Sequence, residues 1–278
     1  MLLENTDIAQ PIQSEHAVVL PGTEELVSVV VPCCGQLECT RLCVPSLLRH
    51  SRAPFELIFV DIESLDGTPE YLAGIAAAAS VPIEVLLTNA DDGFAAACNK
   101  GLIRARGDFI VLLSNDTIVP DGWLNHLVAL ARMDSSVGIV GAMSNHAEPP
   151  QSVGSIPYRL APAKAPEPIT NGQPYQAVLD VTPVYEFAKT WSEQNRGQWF
   201  EAERLASFCL LIRREVLPKV GFLDTRSPLP FHDDEGFCRK VRQAGYRLAC
   251  CRDLFIHHFG SRTATGHGRS TGSTDSPH

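Results

Sequence analysis

What the chain lacks narrows its chemistry first. It has no basic excess: 23 Lys and Arg stand against 32 Asp and Glu in 278 residues, a net charge of −9. An acidic chain without a basic stripe cannot neutralise a run of phosphates, so no nucleic-acid partner is expected. No stretch approaches the roughly 18 apolar residues of a membrane span, so no transmembrane segment is expected. The opening MLLENTDIAQPIQSEH carries acids where a secretory signal has a basic start and a long apolar run. A cytoplasmic location is the resulting expectation. The usual phosphate-binding loops are missing too. After the first apolar run the chain reads VVVPCCGQ, with neither G-x-G-x-x-G nor G-x-x-x-x-G-K-[ST], which disfavours dinucleotide-dependent oxidoreductases and P-loop enzymes. Cys33, Cys34, Cys39 and Cys43 crowd one region, but paired C-x2-C spacing is absent, so the nine cysteines read as reduced structural thiols rather than a zinc site.

What is present is a large core and a regular alternation. Hydrophobic residues make up 45% of the chain. ELVSVVVP (25–32), FELIFVD (55–61), PIEVLLTN (82–89), FIVLLSND (109–116) and VGIVGA (137–142) are continuous apolar runs, as strands buried on both faces should be. Helical stretches lie between them: 37–50, with Pro45 expected to kink it or mark a boundary, then 69–79, 91–107 with Gly107 as its stop, and 120–133. Residues 145–175 read as a long irregular loop and 178–196 as a helix. Residues 206–217 read as a strand running into a helix. Next come a helix with an acidic start at 231 and a Gly stop at Gly245, a last strand carrying His257 and His258, and a polar tail. The spacing implies βαβ units: an α/β fold with a mostly parallel central sheet, helices on both faces, and two abutting halves in one large domain. The expected organisation is an arm (1–25), a first half (26–145), an irregular and helical segment (146–205), a second half (206–263) and a tail (264–278).

Ligands of such sheets bind beyond the carboxyl ends of the strands, so Cys33, Asp61, Asn89 and Asp116 should converge on one rim. With no phosphate loop, a nucleotide's phosphates need a cation. Asp116 in LLSNDT stands where a strand-end carboxylate could hold Mg²⁺ or Mn²⁺, ions that accept one or two protein carboxylates beside diphosphate and water. Asp and Asn also end strands simply as turn formers.

Four segments in order resemble family 2 glycosyltransferases of the GT-A fold: VSVVVP, FELIFVDIESLDGT, NADDGFAAACNKGLIRARGDFIVLLSNDT and FHDDEGFCRKVRQAGYRL. Ser144-Asn145, Pro149-Pro150-Gln151 and the closing HHFGSRT resemble a bacterial surface-polysaccharide branch. The resemblance implies an inverting, metal-dependent transferase. It would move a sugar from a nucleoside-diphosphate sugar, UDP favoured, to a saccharide or other hydroxyl acceptor. Pro32 and Cys33 would edge the base pocket, and Asp61 would bond the base. Gly93, Asn99 and Lys100 would lie near base and ribose. Asn115 and Asp116 would belong to the metal motif, in which Ser114 replaces the usual first acid. His258, with His257 as the alternative, would be the second metal ligand, and Arg262 would reach phosphate. Asp234, or else Asp233, would be the general base, with Gly236 in place of the usual last acid. Two other classes stay open: a non-catalytic nucleotide-sugar or glycan-binding domain, and a sugar nucleotidyltransferase.

Overall fold

The computed structural model describes residues 25–162, 179–226 and 233–260, with the side chain of Asp233 outside the description. Among these residues nine strands form one sheet in the order β3-β2-β1-β4-β8-β6-β9-β5, with β7 paired to β9. The strands are β1 (Val27–Cys33), β2 (Phe55–Ile62), β3 (Ile83–Thr88), β4 (Phe109–Leu113), β5 (Thr117–Ile118), β6 (Val137–Ser144), β7 (Trp199–Ala202), β8 (Cys209–Arg213) and β9 (Arg247–His258). β1 to β4 are mutually parallel, β8 runs antiparallel to both β4 and β6, and β9 returns parallel to β6.

The Val-rich strands split their side chains between two cores, as period-two alternation requires. Val27, Val29 and Val31 pack with α1 (Leu37–His50) and α4 (Trp123–Met133) on one face. Val30, Ile58 and Val60 pack on the other with α3 (Gly93–Arg104), α6 (Leu217–Val220) and α7 (Asp233–Gln243). α2 (Thr68–Ala78) lies beside β2 and β3, and α5 (Thr182–Gln194) lies across β9.

Several details differ from the sequence expectation. Pro45 does not break α1, which runs unbroken through it. Pro45 is exposed while Cys43, Val44, Ser46 and Leu47 around it are buried, so packing outweighs the lost helix bond. The helix expected from residue 91 begins as a 3₁₀ turn, Ala90–Asp92; Gly93, at φ 77°, then redirects the chain into α3. Gly107 is not the helix stop, since α3 ends at Arg104. A Cβ at Gly107 would lie 2.4 Å from the Leu26 carbonyl oxygen, so close backbone approach explains this glycine. β5 and β7 are too short to show a period, and the reversal at β8 was not foreseen. At the end of the sheet away from the carboxyl rim, Glu56 accepts bonds from Ser28 (2.7 Å) and Arg106 (2.8 Å). The 1–24 arm, part of the 145–175 loop and the tail from 261 fall outside the described residues.

Candidate active site

The carboxyl rim of the parallel strands carries buried polar groups. β1 and β2 pair Cys33 opposite Asp61. Asp61 is 1% exposed; one oxygen accepts the Ser64 N–H at 3.0 Å, and the other has no hydrogen-bond partner among the described residues. Burial, together with the Cys43 thiol and the Asp61 charge, pushes the Cys33 thiol well above its ordinary pKa. Pro32 precedes it, buried in β1. One carboxylate, Asp66, gathers the turns beside them, accepting from the Leu37 N–H at 2.8 Å and the Thr68 hydroxyl at 2.6 Å.

β4 delivers the next groups. Asn115 donates to the Gly35 carbonyl at 3.2 Å and to the Thr40 hydroxyl at 2.9 Å, tying the end of β4 to the start of α1. Asp116, 1% exposed, lies in the turn between β4 and β5. β5 pairs with β9 so that Thr117 faces His258, and the Asp116 carbonyl accepts the Phe259 N–H at 2.9 Å. This ladder brings His258 Nε2 within 3.2 Å of Asp116 Oδ1. His258 is held on every side. Asn145 bonds both its N–H and its C=O at 2.9 Å, its Nδ1 donates to the His146 carbonyl at 2.9 Å, and Phe208 stacks on the ring at 5.4 Å. Burial alone would lower the His258 pKa; the bond and charge of Asp116, with the His146 carbonyl, outweigh it and raise the value.

His257 points the other way. Its Nδ1 meets the Tyr158 hydroxyl at 2.8 Å, beside a separate cavity of about 630 Å³. Burial lowers its pKa to about 4, so it stays neutral. Of the two histidines, only His258 contacts Asp116.

A cavity of about 400 Å³ joins Asp116, His258 and Asp234, whereas Pro32, Cys33, Asp61, Gly93 and Asn115 do not line it. Asp116, His258 and Ser114 line one side; Asp234 and Glu235 at the start of α7 line another, with Ser207, Gln151 and an Arg204–Glu148 ion pair between them. Asp234 accepts the Ser207 N–H at 2.9 Å. Asn99 turns its amide to the fold, bonding both backbone groups of Leu223 at 2.9 and 3.0 Å. Lys100 is exposed and donates to the Leu87 carbonyl at 2.5 Å. Neither Asn99 nor Lys100 lines this cavity. Arg262 lies outside the described residues, as does the Asp233 side chain. Asn145, His146 and Phe208, which hold His258, were not identified in the sequence as site residues. Asn145 was visible there only as part of the Ser144-Asn145 resemblance.

A buried carboxylate oxygen without a partner costs several kcal/mol unless a cation or donor reaches it. Asp116 Oδ2 is such an oxygen. The pair Asp116 and His258 therefore fits a divalent ion that completes its shell with substrate oxygens and water. Among the described residues no group of three or more His, Cys, Asp or Glu is placed to hold a metal by itself.

Comparison with known proteins decides the family. The model of the family described as "Glycosyl transferase family 2" matches residues 28–221. The chain belongs to glycosyl transferase family 2. Over 261 residues it is 28% identical to the O-antigen biosynthesis protein RfbC of Myxococcus xanthus, covering 92% of this chain and 19% of the relative. An uncharacterised protein of Sinorhizobium fredii, y4gI, is 27% identical over 91% of this chain and 27% of its own length. The chain thus spans about a quarter or less of these relatives. A mannosyltransferase of Pyrobaculum calidifontis, solved with GDP-Man and Mn²⁺, shares the fold at TM-score 0.58 and 19% identity, over 84% of this chain and 56% of that one. TarS residues 1–349 of S. aureus, solved with UDP-GlcNAc, match at TM-score 0.56 and 14% identity, over 87% of this chain and 61% of that one. The sheet of this glycosyltransferase is the GT-A architecture. No helix among the described residues is long and apolar enough to cross a membrane.

Proposed function

We propose that this glycosyltransferase moves a sugar, with inversion, from a nucleoside-diphosphate sugar to a hydroxyl of a saccharide or similar acceptor, aided by Mn²⁺ or Mg²⁺. The observation that carries the proposal is that one cavity is lined by Asp116, His258 and Asp234 together. Arg204 is paired with Glu148, so Asp116, Asp234 and Glu235 leave the cavity lining acidic, which favours entry of an anionic diphosphate together with a cation. When bound, the ion would be held by Asp116 and His258 and would neutralise the departing diphosphate. Asp61 presents its unpartnered oxygen to the base; Pro32, Cys33, Gly93 and Asn115 shape the surrounding rim. Asp234, held by the Ser207 N–H, takes the acceptor's proton as the oxygen attacks the anomeric carbon opposite the leaving group. The neighbours solved with GDP-Man and UDP-GlcNAc support this class of donor, and the relative named for O-antigen biosynthesis supports a part in polysaccharide assembly. A site within the cytoplasm, where nucleotide sugars are made, fits the same reading.

The test is calorimetry of UDP and GDP with Mn²⁺. Asp116→Ala loses metal-dependent nucleotide binding, whereas Asp234→Asn keeps it and loses transfer. Nucleotide affinity unchanged in Asp116→Ala sinks the metal assignment. Ser114, in place of an acid, favours the second reading, a domain that binds donor without turning it over. Slow Mn²⁺-dependent hydrolysis of the donor separates the two, since a binding domain shows none.

A further inference from the structure

Four consecutive residues, Leu205 to Phe208, each reach a different part of the site. Leu205 exchanges contacts with the Cys238 thiol of α7, its N–H donating at 3.4 Å and its carbonyl accepting at 3.6 Å. The Ala206 N–H donates to Gln151 Oε1 at 2.7 Å. The Ser207 N–H donates to Asp234 at 2.9 Å. The Phe208 carbonyl accepts the Ser114 N–H at 2.9 Å, and its ring stacks on His258 with an interplanar angle of 19°. This segment is the strap between the Asp116–His258 side of the cavity and the Asp234 side.

Gln151 seats the strap. It is 2% exposed, and its other amide atom, Nε2, donates to the Ala142 carbonyl of β6 at 2.8 Å. Its own carbonyl accepts the Ser144 N–H at 2.9 Å. Beneath it, Gly141 has room for no side chain: a Cβ there would lie 2.8 Å from Gln151 Nε2 and 3.0 Å from a Leu205 methyl. The donor and acceptor of one buried amide thus link the centre of the sheet to the strap, and an apolar side chain would leave both backbone partners unmet.

We infer that Gln151 is a positioning residue: through Ala206 and Ser207 it sets where Asp234 stands relative to Asp116 and His258. The catalytic part of this inference rests on the reading of Asp234 as the base. Displacement of a reacting group by about 1 Å costs on the order of 10²-fold in rate. Gln151→Leu is therefore expected to lower kcat by about 10- to 100-fold while the donor KM stays within about threefold.

Hydrogen-exchange mass spectrometry supplies a readout that needs no catalysis. In Gln151→Leu, amides of 205–208 and of the first turns of α7 lose protection together, while β1 to β4 keep theirs. Gln151→Glu serves as the second variant. Its protonated carboxyl offers the same acceptor and donor, so protection of both regions is retained near pH 5.5 and lost near pH 8. Loosening confined to 205–208 with α7 unchanged overturns the inference. So does uniform loss of protection across the sheet, which is plain destabilisation, or a kcat unchanged in Gln151→Leu where the wild type transfers. If the wild type transfers nothing, the proposed function fails, and the exchange pattern alone decides the role of Gln151.

Discussion

Asp61→Asn should make the protein more stable and a worse nucleotide binder at once. Asp61 is 1% exposed and satisfies one oxygen, through the Ser64 N–H at 3.0 Å, while the other has no partner among the described residues. A buried carboxylate left half-satisfied costs several kcal/mol. Asparagine has the same shape and keeps an acceptor for Ser64, but leaves a buried NH₂ whose lost hydration costs about 1–3 kcal/mol. The difference favours the variant by about 1 kcal/mol, roughly 2–4 °C in melting temperature for a chain of this size. Binding moves the other way. Loss of a charge-assisted bond to the base costs about 1.5–3 kcal/mol, or roughly 10- to 100-fold in Kd. Thermal melts without ligand and calorimetry with UDP and Mn²⁺ read the two effects separately. A melting temperature lowered by several degrees with nucleotide affinity intact would refute the reasoning, because Asp61 would then serve the fold and not the ligand.

Three further outcomes concern the scaffold. Burial would raise the Glu56 pKa, but bonds from Arg106 and Ser28 hold it below its ordinary value. Its stabilising effect is therefore complete above the unfolded carboxylate pKa and is lost as pH falls through the lower folded one. In urea titrations, Glu56→Gln should lose about 1 kcal/mol at pH 7 and little at acid pH; the figure is small because the Arg106 side chain is largely exposed. Pro45→Ala should restore a helix bond at an exposed position of α1 and stabilise the fold by up to about 3 kcal/mol, read as a raised melting temperature. Gly101→Ala would place a Cβ 2.2 Å from a Val30 methyl where α3 meets β1, and should cost about 2 kcal/mol in chemical denaturation.

The halves of the site differed in how far the sequence disclosed them. β1 to β4 were legible because each is a continuous apolar run, and their carboxyl ends indicated where Asp61 and Asp116 stand. Asp234 was legible as part of an acidic cluster opening a helix, and His258 as half of a pair of which one member faces the rim. What joins these groups has no sequence signature. β5 is two residues long, yet its pairing with β9 brings Asp116 to His258. The reversal of β8 follows a long connection from β6, with α5 and β7 on it, that conceals strand direction. Asn145 and Gln151 act through backbone groups more than 50 residues away, so nothing local marks their role. Asn99 shows the converse: beside the expected ligand rim it has a polar side chain of the right type, but the fold uses both ends of that amide at Leu223.

The central claim is that the Asp116–His258 pair and Asp234 serve one transfer reaction within one cavity. The most direct measurement is turnover of UDP- and GDP-sugars with Mn²⁺, with and without chelator, by the wild type and by Asp234→Asn, alongside nucleotide binding by both. The account predicts chelator-sensitive turnover in the wild type, and in Asp234→Asn a loss of at least about 100-fold with nucleotide affinity preserved. Turnover that survives either the chelator or Asp234→Asn would contradict it.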